Sequence, residues 1–84
     1  MSSDYIVIGS QTCPYCINAK KLLESKDLSY DYLMMNELKG SEVAEYENIA
    51  GGQFRSVPQI FKQEGETLTH VGGFTELAQS FRSL

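Results

Sequence analysis

The chain contains two cysteines, Cys13 and Cys16, with Pro14 and Tyr15 between them. They follow a short apolar run over residues 5–8 and precede a helix-like pattern. A Cys-x-x-Cys pair at a strand-to-helix turn is typical of a thiol–disulfide redox site. The free N–H groups and positive dipole at the start of a helix stabilise a thiolate, so we expect Cys13 to be the nucleophile.

Two other interpretations of the cysteine pair stay open at this point. In the first, both thiols are inert residues of the core, since free cysteines are often buried. In the second, they bind zinc, but zinc sites usually have four ligands and His70 is the single histidine of the chain. We therefore predict no metal, and we expect His70 to be a half-exposed strand residue rather than a base.

The element that positions the cysteines is a helix predicted over residues 14–26. Pro14 suits its first turn, where the missing N–H removes no hydrogen bond. At 100° per residue, one arc of this helix collects Cys16, Ala19, Leu22 and Leu23. Cys16 should therefore point toward the core and Cys13 should lie at the exposed N-terminal end, whereas Ile17 falls among the polar positions.

Strands are predicted on both sides of this helix, over residues 4–9 and 28–35. A strand, a helix and a second strand of these lengths are typical of a βαβ unit with a right-handed crossover. A weaker helix is predicted over residues 40–50, and the glycines that follow it end it.

The second half of the chain predicts a strand over residues 57–61, with Pro58 at its start, where no ladder donor is needed. A hairpin turn leads to a returning strand over 67–71. The last helix has apolar residues at i, i+3, i+4, i+7 spacing, namely Phe74, Leu77, Ala78, Phe81 and Leu84. The predicted order of elements is βαβαββα.

Length and composition predict a single domain over residues 1–84 with one modest core. Seven Lys and Arg against eleven Asp and Glu argue against a nucleic-acid or anionic-membrane partner. No stretch is apolar enough to span a bilayer, residues 1–4 lack the features of a secretory signal, and two cysteines are too few for a disulfide scaffold. We expect a cytoplasmic protein, and a monomer.

Three separated motifs resemble those of the glutaredoxins, in order and spacing, over nearly the whole chain. The first is Cys-Pro-Tyr-Cys at 13–16, after a strand. The second is Ser-Val-Pro-Gln-Ile-Phe at 56–61, and the third is Gly-Gly-Phe-Thr-Glu at 72–76. The resemblance implies an α/β, thioredoxin-like fold, in which a four-stranded mixed sheet of order 2-1-3-4 is flanked by three helices.

The resemblance also implies glutathione-dependent reduction of disulfides by a dithiol mechanism. Cys13 would attack a protein disulfide or a glutathione mixed disulfide, and Cys16 would resolve the intermediate by closing a Cys13–Cys16 disulfide. Two glutathione molecules would then restore the dithiol, so glutathione is a co-substrate and no bound cofactor is needed. Disulfide-containing proteins are the implied clients, with ribonucleotide reductase as one example by family analogy.

A glutathione groove is the third implication of the resemblance. It implies a cis Val57–Pro58 bond, which would turn the Val57 backbone toward the cysteines. Thr75 is a plausible N-cap of the last helix, whose free N–H groups would hold the γ-glutamyl carboxylate while Glu76 takes the ammonium group. The implied glutathione-binding residues are Thr12, Tyr15, Arg55, Ser56, Val57, Pro58, Gly73, Phe74, Thr75 and Glu76.

Two positions depart from the family pattern. Ser10 stands where many glutaredoxins have Lys or Arg, and Glu76 stands where they usually have Asp. Arg55, or Lys20 and Lys21 on the first helix, are the candidates for the missing charge. Two rival functions stay open beside the resemblance: a thioredoxin-like donor reduced by a flavoprotein reductase, and a module that binds an iron–sulfur cluster between two chains.

Overall fold

The central strand of the protein, β1 (Tyr5–Gly9), is buried along its whole length in the computed structural model, which describes residues 3–82. It pairs in parallel with β2 (Tyr30–Met34) and antiparallel with β3 (Gln59–Glu64). β4 (Thr67–Gly72) pairs with the other edge of β3. The mixed sheet therefore has the order β2-β1-β3-β4, which confirms the predicted topology.

Three helices accompany the sheet: α1 (Pro14–Ser25), α2 (Gly40–Ala50) and α3 (Phe74–Arg82). A single 3-10 turn, Met35–Glu37, precedes α2. The order of the strands and α-helices is the predicted βαβαββα. Among residues 3–82, no helix combines the length and the hydropathy that crossing a membrane requires.

Alternate residues of β1 point to opposite faces of the sheet, and each face has its own apolar cluster. On one face, Tyr5 and Val7 pack with α1 and α3 residues in a cluster completed by Ala19, Leu23, Ile60 and Leu77. On the other face, Ile6 and Ile8 pack with Phe61 beneath α2. The sheet thus fixes the start of α1 and the start of α3 on the same side.

The predicted amphipathic faces of the outer helices are confirmed within the described residues. On α1, Cys16, Ala19 and Leu23 are buried while Ile17 is exposed. On α3, Leu77 is buried. The last member of that predicted face, Leu84, and the first two residues of the chain lie outside the described residues.

The first strand begins one residue later than the sequence predicts, at Tyr5, and two other strands begin two residues later. The strand predicted over 57–61 begins at Gln59, which is the first residue to pair with β1; the preceding proline has no N–H to donate to a ladder. The strand predicted from Leu28 begins at Tyr30, because the Leu28 N–H still donates to the Leu23 carbonyl at 3.0 Å in the turn that ends α1.

Candidate functional site

Cys13 lies immediately before α1 with an extended backbone, and its side chain is half-buried. Its Sγ accepts a hydrogen bond from the Cys16 N–H at 3.3 Å, one of the free amides of the first helical turn. On its other side, Sγ lies 3.6 Å from the Val57 carbonyl oxygen. The amide contact suits a thiolate, and the carbonyl contact suits a thiol.

Cys16 is fully buried, on the core side of α1 as predicted. Burial raises the pKa of the Cys16 thiol above its ordinary value, and the neighbouring Cys13 sulfur raises it further. Contacts with the Ser10 backbone and the Tyr32 hydroxyl act in the opposite direction. Both cysteines are free thiols in the structure, so Cys13 is the accessible sulfur and Cys16 the protected one.

The second motif places the Val57–Pro58 peptide beside Cys13. This bond is cis, as the resemblance implies, and Pro58 is buried. The segment is anchored by Gln59, whose amide donates to the Ser56 carbonyl at 2.8 Å and whose Oε1 lies 2.8 Å from Nε2 of His70. These contacts connect the loop before β3 to the neighbouring strand β4.

His70 has the predicted position on β4, half-buried and packed against the Phe61 ring at 5.1 Å between centroids. Burial lowers the pKa of His70 below its ordinary value, although the nearby Glu76 carboxylate opposes the shift. Its Nε2 already contacts Gln59, so the His70 side chain joins β4 to the start of β3.

The third motif corrects one prediction, because Thr75 is not the N-cap of the last helix. The helix begins at Phe74, and the Gly73 carbonyl accepts the first helical bond, from the Leu77 N–H at 3.0 Å. Glu76 then folds back so that its Oε1 accepts the Gly73 N–H at 2.6 Å. This is the acidic half of a capping box, and it makes the hydroxyl of Thr75 unnecessary for capping.

A single cavity of about 260 Å³ joins the three motifs. Its lining is Tyr15, Ser56, Val57, Pro58, Gly73, Phe74, Thr75 and Glu76. The exposed ring of Tyr15 lies 6.2 Å from the Phe74 ring and forms an apolar wall between the first and third motifs. Because Val57 belongs to this lining and its carbonyl oxygen lies 3.6 Å from the Cys13 sulfur, the cavity ends beside Cys13.

Other predicted residues lie elsewhere. Thr12 lines a separate cavity of about 350 Å³ with Ser10 and two methionines of the β2 end. Arg55 is exposed and lines a cavity of about 290 Å³ together with His70. The Lys20 ammonium lies over the Tyr32 ring, 4.6 Å from its centroid. The structure therefore does not bring these side chains into the first cavity, and their contact with a ligand stays a prediction.

Sequence reasoning missed two residues at the site, Gly9 and Tyr32. A Cβ on Gly9 would lie 2.6 Å from the Tyr32 hydroxyl oxygen and 2.7 Å from the Cys16 sulfur. The glycine therefore leaves the space in which the hydroxyl approaches the buried thiol. Glycine at the end of a strand was visible in the sequence, but the parallel register that brings Tyr32 opposite Val7 was not.

Comparison with known proteins gives one consistent result. Residues 5–66 match the glutaredoxin family model. Glutaredoxin 1 of Rickettsia prowazekii, strain Madrid E, is 36% identical over 72 residues, which cover 86% of this chain and 70% of that protein. Reduced Escherichia coli glutaredoxin is 30% identical with a TM-score of 0.73, covering 94% of this chain and 93% of that one. A buckwheat glutaredoxin–glutathione complex, 21% identical, has the same fold with a TM-score of 0.73, covering 96% of this chain and 70% of that one.

Proposed function

Because this chain belongs to the glutaredoxin family of thiol–disulfide oxidoreductases, we propose that it uses electrons from glutathione to reduce protein disulfides and glutathione mixed disulfides. The observation that carries the proposal is the cavity beside Cys13, whose lining comes from all three motifs. An apolar wall, an extended backbone segment and a helix start suit a short, charged peptide with a thiol at its centre.

The reductive half of the cycle follows from the two sulfur environments. The Cys13 thiolate attacks the client disulfide, which forms a mixed disulfide at Cys13 and releases one client sulfur as a thiolate that takes up a proton. Cys16 then loses its proton and attacks the Cys13 sulfur, so that the Cys13–Cys16 disulfide forms and the second client thiol leaves. The client gains two electrons and two protons, and the protein is oxidised to the disulfide.

The regenerating half uses two glutathione molecules. The thiolate of the first attacks Cys13, which breaks the internal disulfide, returns Cys16 to the reduced state and leaves glutathione bound to Cys13. The thiolate of the second attacks the glutathione sulfur of this mixed disulfide, which releases oxidised glutathione and the Cys13 thiolate. A substrate that already carries glutathione enters at the mixed-disulfide stage and needs Cys13 alone.

The cavity supports this substrate in three places. The Val57 backbone offers polar groups to an extended peptide. The first amides of α3 have no partner within the helix and suit the γ-glutamyl carboxylate. The Glu76 carboxylate lines the same cavity and suits the γ-glutamyl ammonium group. The buckwheat relative was solved as a complex with glutathione, which is consistent with this choice of substrate.

The clients that we propose are proteins with accessible disulfides, and ribonucleotide reductase is one candidate by analogy with the family. The cavity is built from one chain, so the protein acts as a monomer in this proposal. Both cysteines must be thiols for the cycle to start, which suits the cytoplasm and its glutathione pool.

The experiment that tests the proposal is a comparison of two reductants. The substrate is the mixed disulfide that joins glutathione to 2-mercaptoethanol, and NADPH oxidation measures its reduction. One reaction contains glutathione and glutathione reductase, and the other contains thioredoxin reductase alone. We expect turnover only in the first. Turnover with thioredoxin reductase alone would instead support a thioredoxin-like donor, and a visible absorbance of the anaerobically purified protein without turnover would support an iron–sulfur module.

A further inference from the structure

Tyr32 makes a contact that the dithiol cycle described above does not use. Its hydroxyl donates to the Ser10 carbonyl at 2.5 Å and neighbours the Cys16 sulfur, where its contact lowers the pKa of the Cys16 thiol. Both groups meet in the space that Gly9 leaves open. A tyrosine hydroxyl is therefore held next to the Cys16 sulfur, and Tyr32 does not belong to the lining of the substrate cavity.

The closure step creates the need for such a group. Cys16 is fully buried, and a thiol must become a thiolate before it can attack a disulfide. A buried thiolate without a hydrogen-bond donor is strongly disfavoured. Two contacts favour the Cys16 thiolate, one from the Ser10 backbone and one from the Tyr32 hydroxyl. Tyr32 is the one of the two that acts through a side chain, so its contribution can be removed by substitution.

We propose that Tyr32 is a catalytic residue of the closure step, in which its hydroxyl stabilises the Cys16 thiolate; this inference rests on the dithiol function proposed above. While Cys16 is a thiol, the hydroxyl donates to Ser10. When Cys16 releases its proton to solvent, the hydroxyl turns its hydrogen toward the sulfur. Tyr32 keeps its own proton throughout, Cys16 attacks Cys13, and the departing client thiolate takes up a proton from solvent.

The surroundings of Tyr32 fit a donor rather than a base. Burial and the two cysteine sulfurs raise the pKa of Tyr32 to about 12, so the phenol stays protonated. Lys20 holds its ammonium 4.6 Å above the ring, and a cation over the ring strengthens the O–H as a donor. Cys13 and Cys16 act on the Tyr32 hydroxyl, and Lys20 lies over its ring. Tyr5 and Tyr30 are further titratable groups of the same cluster, to which β3 and α3 contribute the apolar Ile60 and Leu77.

Single-turnover closure tests the proposal, with Tyr32→Phe as the variant and Tyr30→Phe as its matched control. Tyr30 lies on the same face of the same strand, but its hydroxyl donates to Glu24 at the surface. Reduced protein is mixed with insulin without glutathione, quenched with acid and alkylated. Mass spectrometry then separates the dithiol, the mixed disulfide with insulin and the closed disulfide, so attack and closure are timed separately.

Tyr32→Phe loses a hydrogen bond to a charged group. We therefore expect its closure rate to fall about tenfold at neutral pH, while its rate of attack on insulin stays the same. The pH midpoint of closure should rise by about one unit, and the mixed disulfide should accumulate. Tyr30→Phe should behave as the wild type. Equal closure rates and equal pH midpoints in the two variants would overturn the proposal. An equal slowing of attack and closure in Tyr32→Phe would also overturn it, because that result indicates a general distortion of the site.

A second pair of variants keeps the test decisive if Tyr32→Phe does not fold. Lys20→Gln removes the cation over the ring, and exposed Lys21→Gln is its control. A cation–π contact of this kind predicts that closure slows about threefold in Lys20→Gln only; no difference between the two would contradict the role of the ring. Because glutathione is absent from these reactions, a failure of glutathione dependence is distinguishable from a failure of the Tyr32 proposal.

Discussion

At the scale of single residues, the two sulfurs of the motif differ mainly in burial. Cys13 is half-buried at the start of α1, and Cys16 is fully buried one helical turn later. The proposed division of roles, with attack by Cys13 and closure by Cys16, rests on this difference. The spacing in the sequence already indicated it, because a helical arc placed Cys16 among the core residues.

Two serine variants test that division of roles. Cys13→Ser should reduce activity to background with both a glutathione mixed disulfide and a protein disulfide, because every step passes through this sulfur. Cys16→Ser should keep most of the activity on the glutathione mixed disulfide and lose the dithiol reduction of insulin. The coupled NADPH assay measures both. Substantial turnover by Cys13→Ser, or loss of both activities in Cys16→Ser, would refute the assignment.

Glu76 belongs to the same scale, since its carboxylate both caps Gly73 and lines the cavity. Glu76→Gln removes the charge and keeps an oxygen that accepts the Gly73 N–H. An exposed ion pair contributes about 0.2–1 kcal/mol, so KM for a glutathione mixed disulfide should rise about threefold with kcat unchanged. Glu66→Gln, in the exposed β3–β4 turn, is the control, and equal KM values for the two variants would exclude a contact with the ligand.

At the scale of elements, the close approach of α1, β1 and β2 depends on Gly9. A Cβ there would lie under 3.0 Å from the Tyr32 hydroxyl and the Cys16 sulfur, so Gly9→Ala should lower the free energy of unfolding by about 1–3 kcal/mol. Gly40→Ala is a matched control, because a Cβ at Gly40 meets nothing within 4 Å. Urea unfolding measures the stability of both variants. Equal free energies of unfolding would show that the helix and the strands can move apart to accept the Cβ without loss of stability.

Local sequence signals predicted most of the elements but not their junctions. Hydrophobic spacing found all four strands and three helices because each buries one face against the same sheet. The late start of β3 at Gln59 was missed, because apolar residues before a strand look the same whether or not they pair with a neighbour. The residue type of Thr75 predicts an N-cap, whereas Glu76 satisfies the Gly73 amide from within the helix.

At the scale of the whole molecule, three groups with raised pKa values make stability depend on alkaline pH. The pKa of Cys16 is raised above 9.0, and those of Tyr30 and Tyr32 are raised from 10.0 to about 12. The folded state therefore holds these protons more tightly than the unfolded chain. Their contribution is fully present below pH 9 and is lost as the pH rises through the folded-state pKa values.

Urea unfolding of the reduced protein between pH 7 and pH 11 measures this dependence. We expect the free energy of unfolding to fall above about pH 9, close to the pKa of an unperturbed thiol. Cys16→Ala should be less stable at pH 7 but should lose less stability between pH 9 and pH 10, before the tyrosines contribute. Parallel curves for the two proteins would show that Cys16 is not the source.

Which distant segments meet is a property of the whole chain, and sequence predicted it only through the family resemblance. That resemblance named ten residues for the glutathione groove, and eight of them line one cavity. Thr12 and Arg55 lie in other cavities, because loops direct side chains without a periodic signal. The pairing of Lys20 with Tyr32 was equally hidden, since it depends on how a helix lies across a neighbouring strand.

The most direct test of the account is to locate glutathione on the protein. The mixed disulfide between glutathione and Cys13 is formed in ¹⁵N-labelled Cys16→Ser, and its amide spectrum is compared with that of the free variant. We predict that the largest shifts fall on Tyr15, Val57, Gly73 and Thr75, which line the cavity, while the amides of α2 stay unchanged. The proposed groove would be contradicted if the largest amide shifts fell on the cavity that contains Arg55 and His70, or if only the amide of Cys13 shifted.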